Sequence, residues 1–147
     1  EAALNAAGFT MTDDPAYDTH RLKLAIPDGS RDIIVDKSFP LECGFEDLHA
    51  IDYEKGCYVG QELTARTHHR GTIRKRLYRV DIDGATPQPG TPILFGETKV
   101  GEMRSARGGL GLAFLRTEHV EAAARDGKPL VAEGATLTPI KPSWARF

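Results

Sequence analysis

Cysteine is scarce in this chain of 147 residues, which holds only Cys43 and Cys57. Two cysteines exclude a disulfide-stapled scaffold, and their separation matches no C-x-x-C metal or redox motif. Free thiols in a reducing compartment are the expectation, although sequence alone leaves a bridge between the two open. Long apolar runs are also missing. None approaches the ~18 residues of a membrane helix, so no membrane partner is expected. Strong charge of one sign is absent too: 19 Lys and Arg stand against 21 Asp and Glu. A net charge of −2 gives no pull toward nucleic acid or acidic lipid. The histidines are few and scattered. His68 and His69 are adjacent, so on a helix they point about 100° apart and do not easily share one metal. His20, His49 and His119 lie elsewhere, and a zinc centre with four convergent ligands is not expected. An initiator Met is lacking as well. The opening Glu-Ala-Ala-Leu-Asn has no basic and apolar regions of a signal peptide, and it reads as the interior of a helix in a longer chain.

What is present is the composition of an ordinary globular protein, 40% apolar and 27% charged. Residues 1–7 are Ala-rich and end at Gly8, a helix tail with its glycine stop. Asp13, Asp14 and Pro15 read as a turn. Residues 20–26 alternate polar and apolar, which predicts a half-buried strand ending at Pro27. Asp28-Gly29-Ser30 is a second turn. Residues 45–49 read as one or two helical turns and 51–53 as a short strand. After Gly60 comes a short helix over 61–69, with Glu62 in its first turn, Glu62 and Arg66 as an i,i+4 pair, and Gly71 as its end. The rest is different: a long strand over 73–82 with Tyr78, Val80 and Ile82 on one face, then short strands at 93–95, 99–104, 110–115, 130–132 and 136–140. One helix over 119–125 interrupts them and stops at Gly127. Short strands separated by turn signals predict a small antiparallel barrel. Trp144 and Phe147 are expected to cover an open barrel edge, with Pro142 blocking further pairing. The fold class read from this pattern is α+β, with a boundary near Gly71 that gives units 1–71 and 72–147.

Chemistry concentrates in Lys55-Gly56-Cys57-Tyr58-Val59-Gly60-Gln61-Glu62. A lysine two residues before Cys57 and a helix N-terminus three residues after it both favour a thiolate, the form that attacks electrophiles and binds metal. The flanking glycines permit backbone that other residues avoid and leave room for a partner. The residues alone also allow Cys57 to be a small buried hydrophobe beside a turn.

That octapeptide resembles the K-G-C-[FY]-x-G-Q-E signature of the YgfZ family, relatives of the glycine-cleavage T-protein, a tetrahydrofolate-dependent aminomethyltransferase. The likeness continues through Leu63-Thr64-Ala65-Arg66-Thr67-His68-His69-Arg70-Gly71 and Ile73-Arg74-Lys75-Arg76-Leu77, where it is nearest the mitochondrial branch and its bacterial counterparts. Outside residues 40–80 it is one of layout. The resemblance implies the C-terminal portion of a T-protein-like folate-binding body followed by the barrel. It implies a factor in [4Fe–4S] protein maturation rather than a turnover enzyme, with Cys57 as the functional thiolate and Lys55, Gly56, Tyr58, Gly60, Gln61, Glu62, Arg66, His68 and His69 as its motif. The ligands implied are tetrahydrofolate, which the absent upstream part helps to hold, and an iron–sulfur cluster. Because such clusters take four thiolates and this chain has two cysteines, Cys57 would share the cluster with an A-type carrier protein. The expected compartment is the cytoplasm for a bacterial source and the mitochondrial matrix for a eukaryotic one.

The alternative is an aminomethyltransferase. T-proteins meet the pterin through the glutamate of an R-x-E-A-G-type strand. Here Lys23, in Arg21-Leu22-Lys23-Leu24-Ala25, takes that place and removes an acceptor for the pterin N–H groups. Glu42, in Pro-Leu-Glu-Cys-Gly, is a candidate folate contact, or else a solvated loop acid. The basic run Arg66, Arg70, Arg74, Lys75, Arg76 and Arg79 reads as a solvated face rather than a nucleic-acid site. Gly108-Gly109-Leu110-Gly111 lacks the spacing and following helix of a phosphate loop and reads as a tight turn or bulge.

Overall fold

The computed structural model describes residues 1–147, the side chain of Arg70 excepted. Six antiparallel strands close into a barrel in the order β1-β4-β3-β2-β5-β6. They are β1 (Lys75–Asp83), β2 (Pro92–Phe95), β3 (Thr98–Arg107), β4 (Leu110–Arg116), β5 (Leu130–Ala132) and β6 (Ala135–Ile140). β1 is the seam. It pairs with β4 from Lys75↔Arg116 to Asp81↔Leu110, and with β6 from Arg79↔Ile140 to Asp83↔Thr136. Period-2 alternation therefore sends Tyr78, Val80 and Ile82 inward, as the sequence predicts, to meet Ile93, Met103, Leu115 and Leu137. The β3–β4 connection is the Gly108-Gly109 turn, where φ is 58° and 77°. The helix α5 (Thr117–Asp126) follows β4 and ends at Gly127 in the left-handed region, and its Val120 and Ala123 pack on the inner cluster.

The first half of the chain is helices and turns, and among the described residues it contributes no strand. The expected strand at 20–26 is instead the end of the helix α2 (Asp14–Lys23), which follows the short α1 (Ala2–Ala6). Asp13, read as a turn residue, is the N-cap: its carboxylate accepts from the Ala16 N–H at 2.9 Å, and Pro15 sits in the first turn, where a missing N–H costs nothing. Lys23 is therefore an exposed helix-terminal residue and not a strand residue. The single turn α3 (Gly29–Asp32) is capped by Asp28. Residues 40–49 form hydrogen-bonded turns, and 51–53 pair with no strand. The helix α4 (Gln61–Arg70) is the one the sequence predicts.

An apolar contact and a buried polar one do most to seat this half on the barrel. Leu22 and Ala25 of the α2 end pack on the outward faces of Leu77 and Leu112, with Trp144 alongside. The second contact is polar and buried. A bulge in β3 shifts register between Met103 and Ala106 and frees the Ser105 N–H from the ladder. Asp32 takes that N–H at 2.8 Å and the Ser105 hydroxyl at 2.6 Å. Arg21 donates to Asp32 at 2.7 Å, to Ser105 Oγ at 2.7 Å and to Asp18 at 2.8 Å. Arg31 and Arg107 reach Asp18 from the rim at 2.8 and 2.9 Å. These hydrogen bonds hold the Asp18 carboxyl well below the usual carboxylate range, Arg31 foremost, against burial that pushes it up.

One terminal expectation is corrected. Because β6 pairs with β1, the barrel has no open edge for Trp144 and Phe147 to cover. Trp144 instead donates to the Leu24 carbonyl at 2.9 Å, and Phe147 lies edge-on to Tyr78 with Arg76 over its ring.

Candidate functional site

The motif occupies a surface loop and the helix that follows it. Asp52 starts the loop by accepting the N–H groups of Glu54 and Lys55 at 2.9 and 3.3 Å, an Asx turn. Gly60 ends it as the N-cap of α4 with φ 85°, a conformation natural to glycine. Gly56 has no such requirement. Its backbone is ordinary, and an added Cβ would meet open space. Gln61 folds back so that its side-chain oxygen accepts the Tyr58 N–H at 3.0 Å, which fixes the residues on either side of Val59. Lys55 lies over the Tyr58 ring at 4.9 Å, a cation–π contact that braces the loop.

Cys57 is exposed within this frame, and Cys43 is buried and free, so the two are not bridged. The contrast is chemical as well as geometric. Burial pushes the Cys43 thiol up to about 11, with the Glu42 charge adding to it and a Ser38 hydrogen bond opposing. Cys43 is thus a packing residue. A cavity of about 270 Å³ lies beside the loop, walled by His49, Ile51, Asp52, Lys55 and Tyr58.

α4 lies on the surface, and none of its described residues is fully buried. Glu62 and Arg66 stand 4.0 Å apart at its exposed face. His68 is held on two sides: Glu46 lies 3.1 Å from its Nδ1, and the Tyr53 ring stacks on it at a centroid distance of 4.3 Å. His69 meets His68 edge-on at 4.8 Å. Sequence reasoning missed Glu46 and Tyr53, which no spacing rule links to a residue on a later helix.

The structure brings Lys55, Gly56, Cys57, Tyr58, Gly60 and Gln61 together. His68 lies further along α4 and meets the start of the same segment through Tyr53, which stacks on its ring at 4.3 Å. Glu42 is elsewhere again, half-buried against the barrel, where burial raises its pKa and the charges of Lys75 and Arg76 oppose that. The basic run is dispersed. Arg66 faces Glu62, Arg76 donates to the Leu41 carbonyl at 3.3 Å, and Arg79 pairs with Asp81 at 3.3 Å; the Arg70 side chain lies outside the described residues. Among the described residues no three His, Cys, Asp or Glu side chains are grouped to hold a metal ion. No helix is long and apolar enough to cross a membrane.

Residues 74–147 match the model of the CAF17 C-terminal β-barrel domain. Over 134 residues the chain is 36% identical to a Mus musculus protein named iron–sulfur cluster assembly factor IBA57, mitochondrial, covering 87% of this chain and 37% of the relative. The Homo sapiens protein of the same name is 41% identical over 111 residues, covering 71% of this chain and 31% of the relative. An Aspergillus clavatus homolog of that factor is 32% identical over 156 residues, covering 88% and 34%. The chain thus spans about a third of the length of these curated relatives. On the strength of the barrel match and these relatives, the chain belongs to the CAF17/YgfZ-type family.

Proposed function

We propose that this chain works in iron–sulfur cluster assembly, and that the Cys57 sulfur ligates a cluster, as cargo, at an interface with an A-type carrier protein. The observation that carries the proposal is an exposed cysteine on a braced loop at the head of a surface helix. Free cysteines are ordinarily among the most buried residues, as Cys43 is. An exposed one in a family whose relatives bear the assembly-factor name calls for a chemical role. Ligation exchanges the thiol proton for an iron–sulfur bond. A cluster takes about four such ligands, so the carrier supplies the others. Lys55, Tyr58, Gly60 and Gln61 position the loop, while Glu62, Arg66 and His69 present the polar face that meets the carrier. Tetrahydrofolate is carried in the same reading as a ligand, to be measured by equilibrium dialysis.

The test is reconstitution of the cluster with the carrier, comparing the parent with Cys57→Ser. The variant is expected to lose the cluster absorption of the complex and to slow transfer to an acceptor protein. Unchanged spectra and rates would remove Cys57 from the mechanism.

A further inference from the structure

A second cleft lies away from the Cys57 loop, between the 34–42 segment and the barrel wall formed by β1, β3 and β4. Its volume is about 420 Å³, within the range of small-ligand sites. Five cations line it: Lys37 from the segment, Lys75 from β1, Lys99 and Arg104 from β3, and Arg116 from β4. Two carboxylates, Glu42 and Glu102, oppose them. Glu102 is already committed, 2.7 Å from Arg104 and 3.7 Å from Lys99. Arg116 stands 3.7 Å from the exposed Glu118. Lys37 and Lys75 have no ion-pair partner within 4.0 Å among the described residues.

Arg104 separates this cleft from an ordinary basic surface. Its side chain is 6% exposed, its guanidinium lies 5.6 Å from the Phe114 ring, and its Nε is buried with no hydrogen-bond partner. Glu102 meets one end of this guanidinium, but a buried N–H left without an acceptor, as at Nε, costs free energy. Fields from like charges converging on a cleft with low-dielectric walls raise the local concentration of a counter-ion. Ile34, Phe39 and Phe114 give the same cleft an apolar wall.

We propose that this cleft binds a small multivalent anion, a polycarboxylate or a polyphosphate, held by Lys37, Lys75 and Lys99 at the rim and Arg104 at the wall. The site is independent of Cys57 and of cluster chemistry. Binding strengthens at low salt, because the rim lysines are screened by ions while the buried guanidinium is screened less.

The experiment is calorimetric titration of the intact chain, at low ionic strength, with inorganic pyrophosphate and separately with benzene-1,3,5-tricarboxylate. One anion per chain is expected. Lys99→Glu and Lys75→Glu each reverse an exposed charge and should weaken binding roughly tenfold or more. Arg125→Glu makes the same net change in the last turn of α5, outside the lining of the cleft, and should leave affinity within about twofold; circular dichroism confirms that each variant is folded. Preference for one probe assigns the source, carboxylate or phosphate, and supports the site. Equal losses in the cleft variants and in Arg125→Glu would overturn it, as would absence of binding at millimolar concentrations of both probes. Binding only to an acidic polypeptide would also overturn it, since the site would then be a protein interface.

Discussion

Replacing Asp32 by alanine should detach the first half of the chain from the barrel while leaving the barrel folded. Asp32 is 2% exposed and accepts four hydrogen bonds: from Arg21 at 2.7 Å, from the Ser105 N–H at 2.8 Å and hydroxyl at 2.6 Å, and from the Asp28 N–H at 2.8 Å. Removing one partner of a buried ion pair costs about 3–5 kcal/mol, because the other charge stays buried without compensation. Here Arg21 keeps Asp18, which reduces that term, but two backbone N–H groups lose their acceptor at about 1–3 kcal/mol each where water cannot reach them. A loss of about 4 kcal/mol is the resulting expectation. With a urea dependence of about 2 kcal/mol per molar, the midpoint for the helical half falls by roughly 2 M. Ser105→Ala removes only the hydroxyl and should cost about 1 kcal/mol. Hydrogen exchange supplies the spatial assay. Amides of α2 and α3 should lose protection in Asp32→Ala, and those of β1 and β4 should keep theirs. A loss under about 1 kcal/mol, or equal loss of protection in the barrel, would refute the assignment of this network as the seat between the halves.

Three further outcomes follow from the same geometry. Gly60→Ala places an L side chain at φ 85° and should cost about 1–2 kcal/mol in urea unfolding, whereas Gly56→Ala should leave the midpoint unchanged. Asp18, whose folded pKa lies below its ordinary value of 3.8, contributes stability that is fully present above that value and lost as pH falls below it; the urea midpoint should decline on acidification below about pH 4, and Asp18→Asn should flatten that dependence. Gly44→Ala sets a Cβ 2.6 Å from the Trp144 ring at φ 78°, so the indole must move, its hydrogen bond to the Leu24 carbonyl should weaken, and the fluorescence of this sole tryptophan should shift to the red.

The barrel was legible because its strands follow the period-2 rule and its turns carry glycine. Tyr78, Val80 and Ile82 alternate with Arg79 and Asp81, and a reader needs only that pattern to place one set inside. The helix α2 was not legible for an equally physical reason. Its inward stripe is Asp18, Arg21 and Leu22, followed by Ala25, with proper helical spacing, but two of the four are charged. A hydrophobic-periodicity argument counts them as solvent-facing and sees only the local alternation from His20 to Ile26. The charges are buried because Asp32 and Ser105 meet them, and Ser105 stands 84 positions from Arg21. The start signal was nevertheless present. Asp13 followed by Pro15 is an N-cap and a first-turn proline, and giving it more weight than the alternation would have found the helix.

The site divides along the same line. The Cys57 loop is contiguous, so its frame is written in eight residues: a turn-forming Asp52 just upstream, a left-handed Gly60 and a glutamine that reaches back to the loop. The cationic cleft is assembled from four separate segments, and its members read in sequence as isolated lysines and arginines among many. The basic run that does stand out in sequence is dispersed in space: on β1 Arg76 faces the opposite way from Lys75 and Arg79, and those two share a face but stand four residues, about 13 Å, apart along the strand. Lys75 reaches the cleft, Arg76 turns to Phe147 and the Leu41 carbonyl, and Arg79 to Asp81. Charge clustering along a strand is thus a poor guide to charge clustering in space. The cations that converge here do so because β1, β3 and β4 are neighbours in a closed barrel.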